Sequence, residues 1–447
     1  MADPDPTDSS APNTLLYGLH DRLPVQRALL AALQQVLAMF VGTITPPTIV
    51  ANVLDLPFEQ KAYLISMSLL CSGIGTIIQV AAWGRVGSGL LSMTGTSFAF
   101  ITPLIYAGQK GGLPLMFGMA LALSPVEALL APFLPKLRKI FTPLVAGVVV
   151  LLIGLLLIPT TLNGMAPPTD GSLHPVTNLA IAVGVLVLVL GLSALHVPWA
   201  RMSAALLALL VGYLFCMFYG MVEHPAGNTG WISLPIPFKY GLSFDWAFVA
   251  PFAFMYLVTT IESIGDFTAC SEISGEPTTG PLYWKRIRGG VLADGINSAI
   301  AACLNSFPNT TFSQNNGVIQ LTGIASRQVG FFAAGILIFF GLVPGVGNGL
   351  ASVPPPVMSG LTILLFGLIA TAGIRILMRA HLDHRGLLIL AVSIGVGIAV
   401  GFDPDVVKPL PEILQLVLGS GITSGGLTAL ILNMTLPQKP ENEATAS

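Results

Sequence analysis

Apolar runs follow one another along nearly the whole chain and are separated by short polar stretches. A membrane-spanning helix needs about 20 mostly apolar residues, and most of the runs approach this length. Counting them predicts about fourteen crossings. Their expected bounds are 27–50, 60–83, 87–107, 113–134, 140–158, 177–195, 202–221, 247–269, 287–306, 308–323, 329–348, 353–376, 386–402 and 410–435.

Two of these runs are interrupted by small and polar residues. The third begins with VGSGLLSMTGTSFAF (86–100), and the tenth contains FPNTTFSQNNGVIQLTG (307–323). Irregular backbone is tolerated inside a membrane only where protein or a water-filled cavity satisfies its polar groups. We therefore expect the two stretches to meet at mid-membrane and to offer hydrogen bonds to a polar ligand. Close helix packing through small residues is the alternative.

The composition agrees with a membrane protein, because 53% of the residues are apolar, only 9% are charged and the mean hydropathy is +0.81. Soluble domains carry about 25% charged residues. A formal net charge of -2 without a basic patch gives no indication of a nucleic-acid partner, so the lipid bilayer is the expected surrounding. The four cysteines lie in or at the end of apolar runs and are expected to be small buried hydrophobes; they are Cys71, Cys216, Cys270 and Cys303.

The basic residues predict an orientation. An even number of crossings puts both termini on one side, and with that side cytoplasmic 15 of the 19 basic residues fall on inside segments or span ends. Residues 1–26 and 437–447 are then cytoplasmic tails. The first 20 residues lack the pattern of a signal peptide and are expected to be a flexible tail that does not pack against the rest of the protein. The basic residues left outside are Lys61, Lys110, Lys239 and Lys408.

The two halves of the chain contain similar stretches of sequence. PLVAGVVVLLIG begins at Pro143 and PVMSGLTILLFG begins at Pro356. The match pairs the fifth crossing with the twelfth, which predicts repeats of seven crossings with inverted topology, as in many secondary transporters. The matching glycines are Gly147 with Gly360 and Gly154 with Gly367.

Carboxylates occur inside the eighth and ninth runs, where ionisable groups are costly and are functional candidates. Glu262 and Asp266 are four residues apart and share a helix face, Asp294 follows in the ninth run, and the only basic residue in either run is Arg288. A carboxyl group that gains and loses a proton is the expected coupling element, although Na+ coupling and a purely structural acid stay open. Glu127, near the cytoplasmic end of the fourth run, is predicted to be structural.

With these residues in hand, the chain resembles the nucleobase–ascorbate transporter family. The family signature reads Gln/Glu/Pro, Asn, any residue, Gly, four residues of any kind, Thr, and Arg/Lys/Gly. Shared stretches elsewhere are LAMFVGTITP, GSGLLS, GTSF, ESIGD and GGVLADG, and within the family the chain is most similar to bacterial xanthine permeases. The fixed signature positions are filled by Gln314, Asn315, Gly317, Thr322 and Gly323.

The resemblance implies an all-α polytopic membrane protein of fourteen segments in two inverted seven-segment repeats, with segments 3 and 10 interrupted. A core domain, 27–134 and 247–350, is implied to move against a gate domain, 135–246 and 351–436. A homodimer in the bacterial cytoplasmic (inner) membrane is also implied. The implied activity is proton-coupled symport of a purine, xanthine, into the cytoplasm by alternating access, with no cofactor, no metal and no enzymatic reaction.

The resemblance also implies roles for single residues. Glu262 and Gln314 match the family's substrate-binding pair, and Asn315 matches a position that affects affinity and specificity. Asp294 matches an essential acid tied to proton coupling. Asp266 matches another important acid.

Hydrogen-bond chemistry agrees with this assignment. Glu262 would accept from ring N–H groups, and the Gln314 amide both donates and accepts. Phe98 is expected to stack on the base, with ordinary core packing as the alternative. Uracil permeases of the family tend to carry Glu at the position of Gln314, which favours a purine. Ser97, where some xanthine permeases have Asn, leaves uric acid or a wider purine range open, and Gln35 replaces a histidine common in the family.

Two other classes are less favoured. An intramembrane hydrolase of the serine type needs a base near its nucleophile, but all six histidines fall in loops or at span ends. A passive channel needs a continuous polar lining, whereas polarity here is concentrated in two interrupted segments. Saturable, uncoupler-sensitive uptake would distinguish a transporter from a channel.

Overall fold

The computed structural model describes residues 15–134, 142–162, 164–165, 175–222, 230–380 and 382–437. Eight helices within these ranges are long and apolar enough to cross a membrane, and a ninth span results if one bent helix pair counts as a single crossing. The chain is thus a multi-pass helical membrane protein, whereas the count of fourteen crossings stays a prediction. Most of both expected tails, 1–14 and 438–447, and the basic residues Lys136, Arg138 and Lys139 lie outside the described residues.

Helices account for nearly all of the regular structure. Two three-residue strands, β1 Thr94–Thr96 and β2 Asn309–Thr311, are the exceptions. The helices are α1 Val25–Val53, α2 Phe58–Ala81, α3 Ile101–Leu123, α4 Pro125–Leu130, α5 Pro143–Leu162, α6 Pro175–Ala194, α7 Pro198–Met202, α8 Ala204–Phe218, α9 Val249–Ile273, α10 Gly280–Cys303, α11 Gln314–Thr322, α12 Arg327–Leu342, α13 Pro344–Ala351, α14 Pro355–Arg379, α15 His384–Phe402, α16 Glu412–Leu418 and α17 Gly421–Thr435. Short 3-10 helices occupy Phe98–Phe100, Ala131–Phe133, Trp246–Phe248 and Pro404–Val407.

Four of the predicted spans differ from simple helices for identifiable reasons. The third and fourth runs meet inside α3, where Gly112 has a φ of 66° that breaks the helix. The eleventh was expected to be one helix, but Pro344 starts a new helix and α12 and α13 are bent by 75°. The fourteenth is likewise divided, because α16 ends at Leu418 and α17 begins at Gly421.

The interrupted segments take the form that their polar residues predicted. In the third, residues 86–93 form no helix, β1 follows, and the 3-10 helix Phe98–Phe100 leads into α3. In the tenth, β2 is followed directly by α11. The strands pair antiparallel, with Thr94 opposite Thr311 and Thr96 opposite Asn309. The two segments therefore meet, and a helix begins at each end of the strand pair.

Helices α9 and α10 pack against this strand pair, and α2 packs against α10 and both strands. A glycine makes the contact between α2 and α10 possible. A Cβ placed on Gly75 of α2 would overlap the Asn297 side chain of α10 and lie 2.7 Å from Thr94 Oγ1. Polar side chains from three elements are thereby brought to one buried region beside the strands.

The helices matched by the predicted repeat, α5 and α14, pack against each other. Their matching glycines nevertheless play different parts. A Cβ on Gly154 of α5 would lie 2.7 Å from the Phe366 carbonyl oxygen, whereas a Cβ on Gly367 of α14 would meet no atom within 4 Å. Close helix approach accounts for Gly154 but not for Gly367, and the inverted repeat stays a prediction.

The described part of the N-terminal tail is not unattached. Residues 15–23, here called the N-terminal strap, lie along the connection between α11 and α12. The Gly323 carbonyl accepts from the amides of Leu16 at 2.8 Å and Tyr17 at 3.1 Å, and Ser326 Oγ donates to the Asp21 carbonyl at 2.6 Å. The expectation of a free tail is therefore wrong for these residues, because backbone partners about 300 residues away bind them.

The cysteines are placed as expected. Cys71, Cys216 and Cys270 are buried and Cys303 is half-buried. All four are free thiols, and no cluster of His, Cys, Asp or Glu suited to a metal occurs among the described residues. They act as small apolar side chains in the helix packing.

Candidate functional site

Asp294 on α10 is the most completely hydrogen-bonded of the predicted carboxyl groups. It is 1% exposed, Ser263 Oγ of α9 donates to its Oδ2 at 2.6 Å, and Gln79 Nε2 of α2 donates to its Oδ1 at 2.7 Å. Hydrogen bonds to a charged group are stronger than neutral ones. The side chain is therefore held between three helices by two donors, both of which favour its ionised form.

Gln79 connects Asp294 to the irregular part of the third segment. Its amide nitrogen also donates to the Gly290 carbonyl at 2.8 Å, and its Oε1 accepts from the backbone N–H of Ser88 at 3.1 Å. The Gln79 amide group has two donor hydrogens and two acceptor lone pairs, and all but one lone pair are thus used inside the protein. The sequence analysis did not select Gln79, although a single amide in the apolar run SGIGTIIQVA is a visible signal.

Asp266 attaches α9 to the tenth segment. Its Oδ2 accepts from Thr311 Oγ1 of β2 at 2.8 Å, and its backbone carbonyl accepts from Asn316 Nδ2 of α11 at 3.3 Å. One turn earlier, Ser263 Oγ lies 3.3 Å from Thr310 Oγ. The structure therefore brings Asp266 of α9 to β2 and α11, the two elements of the tenth segment.

Glu262 and Gln314 are half-buried, whereas Asp294 is buried. Within the described ranges neither side chain has a hydrogen-bond or ion-pair partner. Open space lies beside both, since a Cβ on Gly265 of α9 or on Gly317 of α11 would meet no atom within 4 Å. Each glycine is three residues further along the same helix face. The pair can therefore offer unused donors and acceptors to a ligand.

Asn315, the next signature residue, points elsewhere. It is 1% exposed, and its Nδ2 donates to the backbone carbonyl of Gln35 at 2.9 Å and to Gln35 Oε1 at 2.6 Å. Its Oδ1 has no partner within the described ranges. Asn315 thus joins α11 to α1, and the link uses the glutamine that departs from the family pattern.

Ser97 and Phe98 lie where the third segment turns into helix. Ser97 is buried, its N–H donates to the Pro308 carbonyl at 2.9 Å, and its Oγ caps the 3-10 helix by accepting from Ala99 N at 3.3 Å. Phe98 is half-buried and meets Phe366 of α14 edge to face, with ring centroids 5.9 Å apart. This contact agrees with core packing, the alternative given for Phe98, and stacking on a ligand stays a prediction.

The electrostatic setting is acidic. Glu127, Glu262, Asp266 and Asp294 interact with one another, and the ion pairs found among the described residues lie elsewhere. They include Lys110–Asp245 at 3.2 Å, Arg286–Glu276 at 2.7 Å and Lys408–Asp405 at 2.8 Å. Like charges that share a buried site oppose ionisation of all their members. The arrangement is therefore suited to binding a proton or another small cation.

Interrupted segments that meet inside a helical membrane protein, with carboxyl groups beside them, define the architecture of a membrane transporter. The sequence profile of the Permease family matches residues 26–406, and the chain therefore belongs to this family. The resemblance to nucleobase–ascorbate transporters is confirmed, and the chain belongs to the transporters rather than to the enzymes.

Curated relatives match over nearly the full chain. The xanthine permease XanP of Escherichia coli (strain K12) is 43% identical over 455 residues, which cover 98% of this chain and 97% of that protein. The xanthine permease XanQ of the same strain is 41% identical over 441 residues, or 96% and 95%. The uric acid permease PucJ of Bacillus subtilis (strain 168) is 34% identical over 427 residues, or 93% and 94%.

Solved structures show the same fold at low identity. The transmembrane domain of the cyanobacterium bicarbonate transporter BicA matches with a TM-score of 0.62 at 14% identity, covering 94% of this chain and all of that domain. The murine anion transporter Slc26a9 in its inward-facing state matches with a TM-score of 0.60 at 13% identity, covering 94% and 70%. These likenesses establish the fold of the chain.

Proposed function

We propose that this protein carries a purine nucleobase, xanthine, together with a proton into the bacterial cytoplasm by alternating access. One observation carries the proposal: Glu262 and Gln314, the pair matched to substrate binding, are half-buried, border open space and have no partner among the described residues. The near full-length identity with two xanthine permeases supports xanthine as the substrate.

Xanthine presents alternating N–H donors and C=O acceptors along its ring edge. The Glu262 carboxylate accepts from ring N–H groups, and the Gln314 amide donates to a carbonyl and accepts from an N–H. Phe98 packs on the face of the purine, and the Asn315–Gln35 link keeps α11 in place.

Proton coupling uses Asp294 and its two donors. When Asp294 takes a proton at Oδ2, the Ser263 hydroxyl no longer has an anion to donate to and turns toward Thr310 Oγ1, 3.3 Å away on β2. The protonation state of Asp294 thereby changes a contact of the strand that leads into α11. Asp266 holds the neighbouring Thr311, so both acids act on β2, and the substrate residue Gln314 follows that strand.

Alternating access requires movement between the proposed core domain, 27–134 and 247–350, and gate domain, 135–246 and 351–436. A cavity of about 210 Å³ lies between α1 of the first and α5 and α14 of the second. Its lining offers hydroxyl and amide groups without a charge, which suits an uncharged polar solute. In this proposal both termini are cytoplasmic, the membrane is the inner membrane, and the transporter is a homodimer.

Uric acid is the second candidate. Ser97 is smaller than the asparagine found in some xanthine permeases, and a smaller side chain leaves room for the additional C8 oxygen of uric acid. The 34% identity with the uric acid permease PucJ supports this alternative.

The test is uptake of labelled xanthine into cells that lack purine uptake. Concentrative uptake that a protonophore abolishes, that Glu262→Gln abolishes and that excess uracil leaves unchanged is the expected result. If uric acid competes with labelled xanthine as well as unlabelled xanthine does, the substrates would include uric acid as well as xanthine. Uptake that fails for xanthine but occurs for another solute would overturn the substrate, and uptake that persists with the protonophore but requires Na+ would overturn the coupling ion.

A further inference from the structure

Glu127 is a buried acid that the proposed transport cycle has not used. It belongs to the short helix α4 and is 1% exposed. Its Oε1 accepts from Thr259 Oγ1 of α9 at 2.6 Å, whereas its buried Oε2 has no partner in the described part of the chain. A carboxyl oxygen that is neither hydrogen-bonded nor paired is costly to bury in its ionised form.

Helix packing brings this carboxyl group close to Asp294. Gly295 follows Asp294 on α10, and a Cβ there would lie 3.1 Å from both the Ala128 backbone nitrogen and Glu127 Cβ. The absence of a side chain at Gly295 therefore lets α4 approach α10 closely. Glu127 interacts electrostatically with Asp294 and Glu262.

The titratable groups that face Glu127 are all acidic. They are Asp294 on α10, Glu262 on α9 and the Tyr256 hydroxyl on α9. Tyr256 donates its hydrogen to the Ala120 carbonyl at 2.7 Å and so does not serve Glu127. No cation forms an ion pair with Glu127 among the described residues, and a proton is the species that would neutralise it.

Hydroxyl groups on one face of α9 donate hydrogen bonds to both Glu127 and Asp294. Thr259 donates to Glu127, and Ser263, four residues later, donates to Asp294. Residues at i and i+4 are neighbours on a helix surface. The two acids therefore receive matching hydroxyl donors one helical turn apart, and any shift of α9 acts on both.

We propose that Glu127 is a second proton-binding residue of the transport cycle and works as a pair with Asp294. This inference rests on the proposed proton-coupled transport. An O–H bond forms at Glu127 Oε2 with a proton from water on the outer side, and it breaks when that proton passes to water on the cytoplasmic side. Loss of the proton from one acid leaves a negative charge that makes its loss from the other harder, so the pair titrates in two steps.

The test counts protons taken up per xanthine bound by the purified transporter, by calorimetry in buffers of different ionisation heat across a range of pH. The unaltered protein is expected to show two steps in the proton count. Glu127→Gln keeps the acceptor for Thr259 and is expected to lose one step, with about one proton fewer per xanthine. Glu127→Asp is expected to restore the second step, and Glu59→Gln, the same substitution at an exposed site, is expected to behave like the unaltered protein.

If the Glu127→Gln variant still shows two steps in the proton count, the proposal is overturned. Infrared spectra of the Glu262→Gln variant, prepared with carbon-13-labelled glutamate, provide a test without substrate. A protonated glutamate band that this variant shows and that the Glu127→Gln, Glu262→Gln double variant lacks is expected to disappear as the pH rises, and identical spectra of the two variants at every pH would overturn the proposal. If the unaltered protein binds no xanthine, the proposed function fails on its own, while the infrared result still decides whether Glu127 takes up a proton.

Discussion

Gln79 of α2 and Asp294 of α10 are joined by a hydrogen bond of 2.7 Å from the amide nitrogen to Oδ1. The same glutamine binds the Ser88 amide and the Gly290 carbonyl, so one side chain connects the interrupted third segment to the acid. The geometry around Asp294 and that of the third segment therefore depend on each other.

Gln79→Leu is expected to remove this connection. The substitution keeps the volume but leaves Asp294 Oδ1, the Ser88 N–H and the Gly290 carbonyl without their partner, so a loss of about 2–4 kcal/mol in the free energy of unfolding is expected. Denaturant unfolding in detergent measures the loss. Gln60→Leu near the start of the same helix is the control, and an equal effect in both variants would contradict the importance of the Gln79 contacts.

Glu262→Gln is expected to weaken substrate binding while leaving the stability of the protein nearly unchanged. Because Glu262 has no hydrogen-bond or ion-pair partner among the described residues, the free energy of unfolding should change by less than about 0.5 kcal/mol. Substrate affinity should fall at least about tenfold, since a charge-assisted hydrogen bond to the base is lost. Unfolding and binding measured on one preparation give both values, and a large loss of stability would indicate that Glu262 is a structural acid.

Two glycines at matching repeat positions offer an internally controlled packing test. Gly154→Ala is expected to cost about 1–3 kcal/mol of unfolding free energy because the new methyl group meets the Phe366 carbonyl of α14. Gly367→Ala meets open space and should be neutral or stabilising by up to about 1 kcal/mol through helix propensity. Similar values for the two variants would mean that the close approach of α5 and α14 is not a source of stability.

The link between Gln35 and Asn315 is expected to position α11. Gln35→Leu leaves the Asn315 amide nitrogen with one backbone acceptor and should lower the unfolding free energy by about 1–3 kcal/mol. It should also raise the KM for xanthine more than it lowers kcat, because Gln314 is the neighbouring residue. Gln34→Leu, at the adjacent half-buried position, is the control. An unchanged KM in Gln35→Leu would show that the link is not needed for substrate binding.

Ser97→Asn is expected to narrow the choice of substrate. Asparagine keeps the helix cap that Ser97 provides, but its larger side chain enters a buried position, so a loss of up to about 3 kcal/mol of unfolding free energy is expected. The larger side chain should weaken competition by uric acid at least about tenfold, the discrimination expected from small changes in pocket size. Competition that stays as strong as in the unaltered protein would remove Ser97 as a determinant of specificity.

Local chemistry explains what could be predicted from the sequence. Polar clusters within apolar runs identified the segments that form β1 and β2, and the spacing of Glu262 and Asp266 placed both on one helix face. The partners of Asp294 could not be predicted, because Gln79 lies 215 residues away along the chain. Similarly, the resemblance implies a role of Asn315 in affinity and specificity, whereas the contact of its amide nitrogen with Gln35, 280 residues away, could not be predicted.

The N-terminal strap has a consequence for the order of biosynthesis. Asp21 is bound by Ser326, which is synthesised 305 residues later. At about 5–20 residues per second, translation needs roughly 15–60 s to cover that distance. During this interval the strap has no binding site, and it can dock only after α11 and the start of α12 have been made. Its attachment thus marks a late stage of assembly, after most of the membrane helices have left the ribosome.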